Sequence, residues 1–269
     1  MQEKKLLLKE NICRIARIVG RVLCLLFCAF TAVLFLFQKE YAKVGMAILS
    51  IIFVLIPDLM QKLFRFRIQT PLYFLILLYT ICPLLGYSYK FYYLLPWWDD
   101  LLHCFAGVIF AMFGAYVPRL IHKDGKNSVA FCAVFALAFS IAVAAVWEFI
   151  EYGTDSLFGT DMQKDTLLAE VRPSYLLGEF FNLPVDEMAI LGKTTTVING
   201  VTVQGYVDLG LIDTMSDMLI ESFGAVIYTA VYAVGKGRFF VFAPIEADNS
   251  CHDSPSFVPG LEDEAALSR

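Results

Sequence analysis

The run SVAFCAVFALAFSIAVAAVWEFIEY, residues 128–152, decides what kind of fold this chain adopts. It contains no charged side chain before Glu148, and it exceeds the roughly 20 apolar residues that a helix needs to cross a ~30 Å hydrocarbon layer. It lacks the alternation of apolar and polar residues that marks a strand of a membrane barrel. The run therefore predicts a membrane-spanning helix whose final turns carry Glu148 and Glu151.

The composition of the whole chain agrees with this prediction. Of its 269 residues, 58% are hydrophobic and 17% are charged, which is too apolar for an ordinary soluble domain. Hydropathy predicts five further spans, so the expected fold class is an all-α membrane protein with six transmembrane helices. The predicted spans run near residues 18–37, 43–60, 71–88, 100–118, 128–152 and 213–235.

The positive charges in the connections predict the orientation of the helices. Basic side chains gather at the N-terminus, in the second and fourth connections and at the start of the tail, whereas the first and third connections carry only three lysines. By the positive-inside rule, both termini are cytoplasmic and the fifth connection faces outward from the cell membrane. The net charge of -5 comes without a basic patch, so no nucleic-acid partner is expected.

Four segments are expected along the chain, and one of them is a long loop between helices 5 and 6. The segments are transmembrane helices 1–5 in 1–152, an extracytoplasmic loop or cap in 153–212, transmembrane helix 6 in 213–238, and a disordered acidic cytoplasmic tail in 239–269. Within the loop, TTTVINGVTVQG places two β-branched runs around Asn199-Gly200. That dipeptide is a two-residue turn signal, so the loop is predicted to contain a β-hairpin.

Ionisable residues are concentrated where three of the predicted spans reach the outer face. Within each set the spacing is three or four residues, so its members project from one side of their helix. The sets are Asp99 and His103 on the fourth span, Glu148 and Glu151 on the fifth, and Asp213, Asp217 and Glu221 on the sixth. Gly107 and Gly224 follow nearby and indicate a close approach of their helices. The three faces can therefore converge on one pocket.

A structural explanation competes for some of these acids. Aspartate just before a helix is a favoured N-cap, which would account for Asp99 or Asp100 and for Asp213 without any chemistry. The same explanation fails for the two glutamates at a helix C-terminus, where the helix dipole disfavours carboxylates. It also fails for Asp217, because an acid within a span costs roughly 2.5–3.5 kcal/mol on insertion scales.

Closely spaced carboxylates can all stay ionised only if a cation or a proton lies among them. Carboxylates with one imidazole suit a divalent metal ion such as Mg, Mn, Ca, Fe or Zn, and one or two ions remain possible. The predicted ligands are Asp99, His103, Glu148, Glu151, Asp213 and Asp217. Lys90, Lys164 and Arg172 are the nearby positive side chains that could balance the charge instead.

Four segments in this order give the chain a family resemblance. They are IPDLMQKLFRFRI, PLLGYSYKFYYLLPWWDDLLHCFAG, WEFIEYGTDSLFGTDMQKD and DTMSDMLIESFGA, within roughly 45–235. The chain resembles the YjdF-like family of bacterial multi-pass inner-membrane proteins and, more weakly, VanZ-like proteins, which lack the long loop. The resemblance marks Asp99, His103, Gly107, Glu148, Asp213, Asp217 and Gly224. It implies a fold and a polar site without an assigned reaction, and this chain departs from the short form of the family by its insertion between Asp165 and Asp213.

Three functions fit these observations. The first is a metal-dependent enzyme acting on a lipid or envelope-linked substrate, with one carboxylate as general base and the loop as a lid. The second is a cation- or proton-coupled transporter, although only Asp58 stands near a span on the cytoplasmic side. The third is a noncatalytic scaffold that binds an envelope protein through 153–212. The expected partners are membrane lipid and such an envelope-linked substrate or protein.

Overall fold

The computed structural model describes residues 2–121, 127–169, 195–237 and 242–244. Arg172 and nearly all of the predicted acidic tail lie outside the described residues. Most of the chain is helical. The helices are α1 (Gln2–Phe37), α2 (Tyr41–Leu63), α3 (Thr70–Ser88), α4 (Phe91–Leu94), α5 (Trp98–Ile121), α6 (Val129–Phe158) and α7 (Leu211–Val234). The strands are β1 (Phe66–Ile68), β2 (Thr166–Leu168), β3 (Thr195–Ile198), β4 (Val201–Gln204), β5 (Tyr206–Asp208) and β6 (Phe242–Pro244).

Six of these helices are long and apolar enough to cross a membrane, namely all except α4. Their apolar spans contain 19 to 30 residues, which meets the roughly 17–25 residues that a helix needs to cross a ~30 Å hydrocarbon layer. The prediction of a six-helix membrane protein is therefore confirmed. The orientation of the helices and the side on which the long loop lies remain predictions.

The chain divides into two compact units, of which the first is built on residues up to Ile81. In this unit α1 packs against α2. Arg21 of α1 donates a hydrogen bond to Asp58 Oδ2 of α2 at 2.6 Å, and the Tyr73 hydroxyl of α3 donates to the same oxygen at 2.9 Å. The acid at Asp58 is therefore matched by a cation and a second donor.

The second unit, Cys82–Phe242, is built around the packing of α5, α6 and α7. A Cβ atom on Gly107 would lie 1.9 Å from the carbonyl oxygen of Glu221, and one on Gly224 would lie 2.1 Å from that of Cys104. Ser140 of α6 donates to the Gly107 carbonyl oxygen at 3.1 Å. The backbones of α5 and α7 are thus in direct contact, as the two glycines indicated.

Two helix ends differ from the sequence prediction. α1 begins at Gln2 and not near residue 18, because hydropathy detects only the apolar part of a helix whose hydrogen bonding continues through charged turns. α6 continues beyond residue 152 to Phe158, where Gly159 adopts φ 62° and donates to the Asp155 carbonyl oxygen. The prediction that the two glutamates lie in the last turns is wrong, since Glu151 stands about two turns before the helix end.

The predicted hairpin is present between α6 and α7. β3 pairs with β4 in antiparallel register, from Thr195 opposite Gln204 to Ile198 opposite Val201. Asn199 and Gly200 both have positive φ, 50° and 79°, as a type I′ turn requires. A second antiparallel pair, β2 with β5, was not predicted, because three-residue strands are too short to show an alternating pattern.

Candidate metal site at one end of three helices

Acidic side chains collect where α5 begins, α6 approaches its end and α7 begins. The structure brings all six predicted ligands into one connected cluster and adds Glu221 and Lys164 to it. Among the described residues, the cluster thus combines six carboxylates with one histidine and one lysine. Its members are Asp99, His103, Glu148, Glu151, Lys164, Asp213, Asp217 and Glu221.

The first part of the cluster is the histidine group, formed by Asp99, His103 and Asp217. Each residue offers a ligand atom, and these atoms all lie within 4.8 Å of one another. His103 Nε2 is 3.7 Å from Asp99 Oδ1 and 3.4 Å from Asp217 Oδ2, while His103 Nδ1 is 3.9 Å from Glu221 Oε2. The buried imidazole therefore lies between carboxylates of α5 and α7.

The second part is the glutamate group, formed by Glu148, Glu151 and Asp217. All three side chains are buried, and their ligand atoms also lie within 4.8 Å of one another. Trp147 Nε1 donates to Glu151 Oε1 at 2.7 Å. The group shares Asp217 with the histidine group, so a single carboxylate connects the two.

Three carboxylate oxygens of the cluster are buried without a hydrogen-bond partner among the described residues. They are Glu148 Oε2, Asp217 Oδ2 and Glu221 Oε1, on residues that are only 4%, 3% and 2% exposed. Leaving a charged group buried and unpaired is strongly destabilising, so such atoms require an explanation. Carboxylate oxygens directed at one another are the donor set that a hard divalent cation uses, and the arrangement fits such an ion.

Lys164 brings a positive charge to the edge of the cluster formed by Asp99 and Asp213. Its ammonium forms an ion pair with Asp99 and lies 3.8 Å from Asp213 Oδ1, and its backbone N–H donates to Asp213 Oδ2 at 2.9 Å. Burial lowers the pKa of the ammonium, but the hydrogen bond to Asp99 and the charges of both aspartates outweigh it and raise that pKa above the ordinary lysine value. Lys164 is therefore charged at neutral pH.

The turn after α6 holds Lys164 in this position. Asp155 accepts hydrogen bonds from the backbone N–H groups of Met162 and Gln163, each at 2.8 Å. The Gln163 side chain donates to Thr214 Oγ1 of α7 at 2.6 Å. These hydrogen bonds hold the turn against α6 and α7, so that Lys164 lies close to the start of α5 and α7.

The alternative explanation of Asp213 as an N-cap is wrong. The N-cap position of α7 is Gly210, which has no capping side chain. Asp208 satisfies a backbone N–H at the start of α7 instead, because its Oδ2 accepts a hydrogen bond from the Ile212 N–H at 2.8 Å. Asp213 is therefore free to hold Lys164.

Sequence reasoning left Glu221 out of the ligand set. The signal was available, because Glu221 continues the four-residue spacing of Asp213 and Asp217 along α7. Its contact with His103 depends on how α5 and α7 pack, which the spacing along one helix does not report. Lys164 was one of three candidate cations, and the turn held by Asp155 brings it to the cluster; Arg172 lies outside the described residues.

Comparison with known proteins places the chain in a family. No curated protein and no solved structure matches it. A family model described as "Predicted membrane protein (DUF2238)" matches residues 19–238, a span that contains the whole polar cluster and reaches all six long helices. The expectation of a multi-pass membrane-protein family is confirmed at that level. Because the match covers most of its length, the chain belongs to the DUF2238 family of membrane proteins.

Proposed function

We propose that this protein binds a divalent metal ion at the glutamate group and uses it on a lipid or envelope-linked substrate. The observation that supports the proposal most strongly is the buried oxygen Glu148 Oε2 of the glutamate group, which has no hydrogen-bond partner among the described residues. Carboxylates this close to each other repel strongly, by about 4 kcal/mol for unit charges 4 Å apart at an effective dielectric constant of 20. A bound cation converts this repulsion into attraction.

The composition of the group indicates the kind of ion. Three carboxylates without a thiolate favour a hard cation such as Mg²⁺, Mn²⁺ or Ca²⁺. The six ligands predicted from the sequence then divide by role. Glu148, Glu151 and Asp217 hold the ion, His103 orients Asp217 from 3.4 Å, and Asp99 and Asp213 hold the lysine.

The proposed chemistry is metal-assisted transfer or hydrolysis. A bound divalent ion polarises a phosphoryl or carbonyl oxygen, and a carboxylate at its edge acts as general base toward the attacking group. The cluster lies toward the end of the bundle at which α5 and α7 begin, and this position supports access by a lipid headgroup. The basic residue Arg119 stands in the last turn of α5, at the opposite end from Asp99, which supports an outward-facing site by the positive-inside rule.

The close packing of α5 against α7 beside the cluster favours an enzyme over a transporter. One turn beyond His103, Gly107 lies in backbone contact with Glu221, and Gly224 lies in contact with Cys104. α5 and α7 therefore meet backbone to backbone at the level of Glu221. A close helix contact on this side of the cluster supports a fixed catalytic site, whereas a transporter needs a path to the other side.

Metal content of the purified full-length protein tests the proposal. In equilibrium dialysis against Mn²⁺, the wild type is expected to bind one ion, and Glu148→Gln or Asp217→Asn is expected to weaken binding at least by the roughly 10- to 100-fold that loss of an outer-shell partner costs. The matched control is Asp58→Asn, an acid within a span but outside the cluster. Equal Mn²⁺ binding by the wild type and Asp217→Asn would overturn the proposal.

A second measurement separates the enzyme from the transporter. Lipid extracts from cells that express the wild type or Glu148→Gln are compared by mass spectrometry, and vesicles containing each protein are assayed for Mn²⁺ uptake. An enzyme changes the lipid-linked species without uptake. Uptake by wild-type vesicles together with unchanged extracts would favour the transporter instead.

A further inference from the structure

We propose that the Lys164 ammonium takes the place of a second cation at the histidine group, and that it thereby limits the protein to one bound divalent ion. The inference rests on the proposed ion at the glutamate group. It adds a second metal position that the wild-type protein keeps closed with its own side chain.

The histidine group has the composition of a metal site in its own right. One imidazole and two carboxylates present ligand atoms within 4.8 Å of one another, drawn from α5 and α7. Asp217 Oδ2 is directed into this group, is nearly fully buried, and has no hydrogen-bond partner in the described part of the chain. A ligand set with an unsatisfied buried oxygen is thus present beside the glutamate group.

Lys164 obstructs this set at one ligand. Its ammonium is paired with Asp99, while the other oxygen of the same carboxylate faces His103 Nε2 at 3.7 Å. An ammonium supplies one positive charge and hydrogen-bond donors, but it accepts no ligand and coordinates nothing. It therefore balances Asp99 and Asp213, while Asp217 Oδ2 has His103 Nε2 at 3.4 Å and no hydrogen-bond partner among the described residues.

The lysine is positioned to act as a tethered ion. Its backbone N–H is fixed to Asp213 and the preceding turn is fixed to Asp155, so the ammonium stays close to the cluster. The side chain remains 42% exposed and its four-carbon stem is flexible. Removing its charge abolishes the repulsion of an incoming cation and frees Asp99 as a ligand.

The two metal positions share Asp217, which sets their separation. A carboxylate bound to one ion through each oxygen bridges two metals, and two-metal sites hold their ions about 3.5–4 Å apart. The variant without the lysine charge is therefore expected to contain a coupled pair of ions, with Asp217 between them.

Ion stoichiometry in the full-length protein tests this inference. Equilibrium dialysis against Mn²⁺, and in parallel against Zn²⁺, is expected to give one ion per chain for the wild type and two for Lys164→Met. Lys164→Arg keeps the charge and is expected to bind one. A single ion in Lys164→Met with both metals would overturn the inference, whereas no ion in the wild type would instead contradict the proposed function.

A double variant locates the additional ion. Adding His103→Ala to Lys164→Met is expected to return the count from two ions to one, and an unchanged count of two would place the extra ion elsewhere and refute the inference. If Lys164→Met does not give a monodisperse protein, Lys164→Gln removes the charge while keeping a donor toward Asp99. The electron paramagnetic resonance spectrum gives an independent measurement, since two bridged Mn²⁺ ions give a spin-coupled spectrum in place of the six lines of an isolated ion.

Discussion

Asp58 and Asp217 are both aspartates within membrane-spanning helices, and they differ in what surrounds them. Asp58 Oδ2 accepts hydrogen bonds from Arg21 at 2.6 Å and from Tyr73 at 2.9 Å. Asp217 Oδ2 has no hydrogen-bond partner among the described residues, and the nearest ring nitrogen of His103 is 3.4 Å away. An acid that is matched within the fold needs no ligand to explain it, whereas an unmatched one does.

The balance of charge in the two regions extends this difference. In the first unit, one arginine faces one aspartate. In the cluster of the second unit, six carboxylates face one lysine and one histidine among the described residues. Acidic side chains within a membrane span cost free energy, so an excess of them indicates a site that binds a cation or a proton. We infer that the first region stabilises the helices and that the second holds a cation.

Breaking the matched pair is expected to produce the larger change in stability. Arg21→Met leaves Asp58 with the Tyr73 hydroxyl but without a cation. It should lower the free energy of unfolding by about 2–3 kcal/mol, less than most broken buried pairs because both side chains are partly exposed. Thermal denaturation in detergent, with and without a chelator, measures the change. The loss should be the same in both conditions, and Arg21→Met combined with Asp58→Asn should recover part of it. A loss that depends on metal would remove the distinction between the two regions.

Neutralising a member of the unmatched cluster is expected to have a smaller effect of the opposite sign. In metal-free protein, Glu148→Gln removes one of several repelling charges and should raise the free energy of unfolding by about 1–2 kcal/mol. Saturating Mn²⁺ should stabilise the wild type and leave Glu148→Gln nearly unchanged. Asp100→Asn, an exposed acid in the first turn of α5, serves as the control and should stay within about 0.5 kcal/mol. Destabilisation of the metal-free protein by Glu148→Gln would mean that the carboxylate is already matched.

The sequence predicts the helices well, because an apolar run long enough to span a membrane has few alternatives. The hairpin was equally predictable, since Asn199-Gly200 suits the positive φ of its turn. The end of α6 could not be predicted from the sequence in the same way. Hydropathy falls after residue 152, but the helix continues until Gly159 takes up the left-handed conformation.

The convergence of the acidic side chains was predictable from the sequence, and their pairings were not. Helical spacing placed the acids on three faces, and the structure brings those faces together. The pairing of Asp99 and Asp213 depends on Lys164, whose position depends on backbone hydrogen bonds to Asp155 that have no periodic signature. Glu221 reaches His103 only because two glycines allow α5 and α7 to touch.

Anomalous diffraction from crystals of the Mn²⁺-loaded protein locates the proposed ion. We predict one anomalous peak within about 2.0–2.6 Å of carboxylate oxygens from Glu148, Glu151 and Asp217, the range of oxygen ligands around such cations. A protein that binds Mn²⁺ but places its peak away from these three residues, or a loaded crystal without a peak in the cluster, would contradict the account.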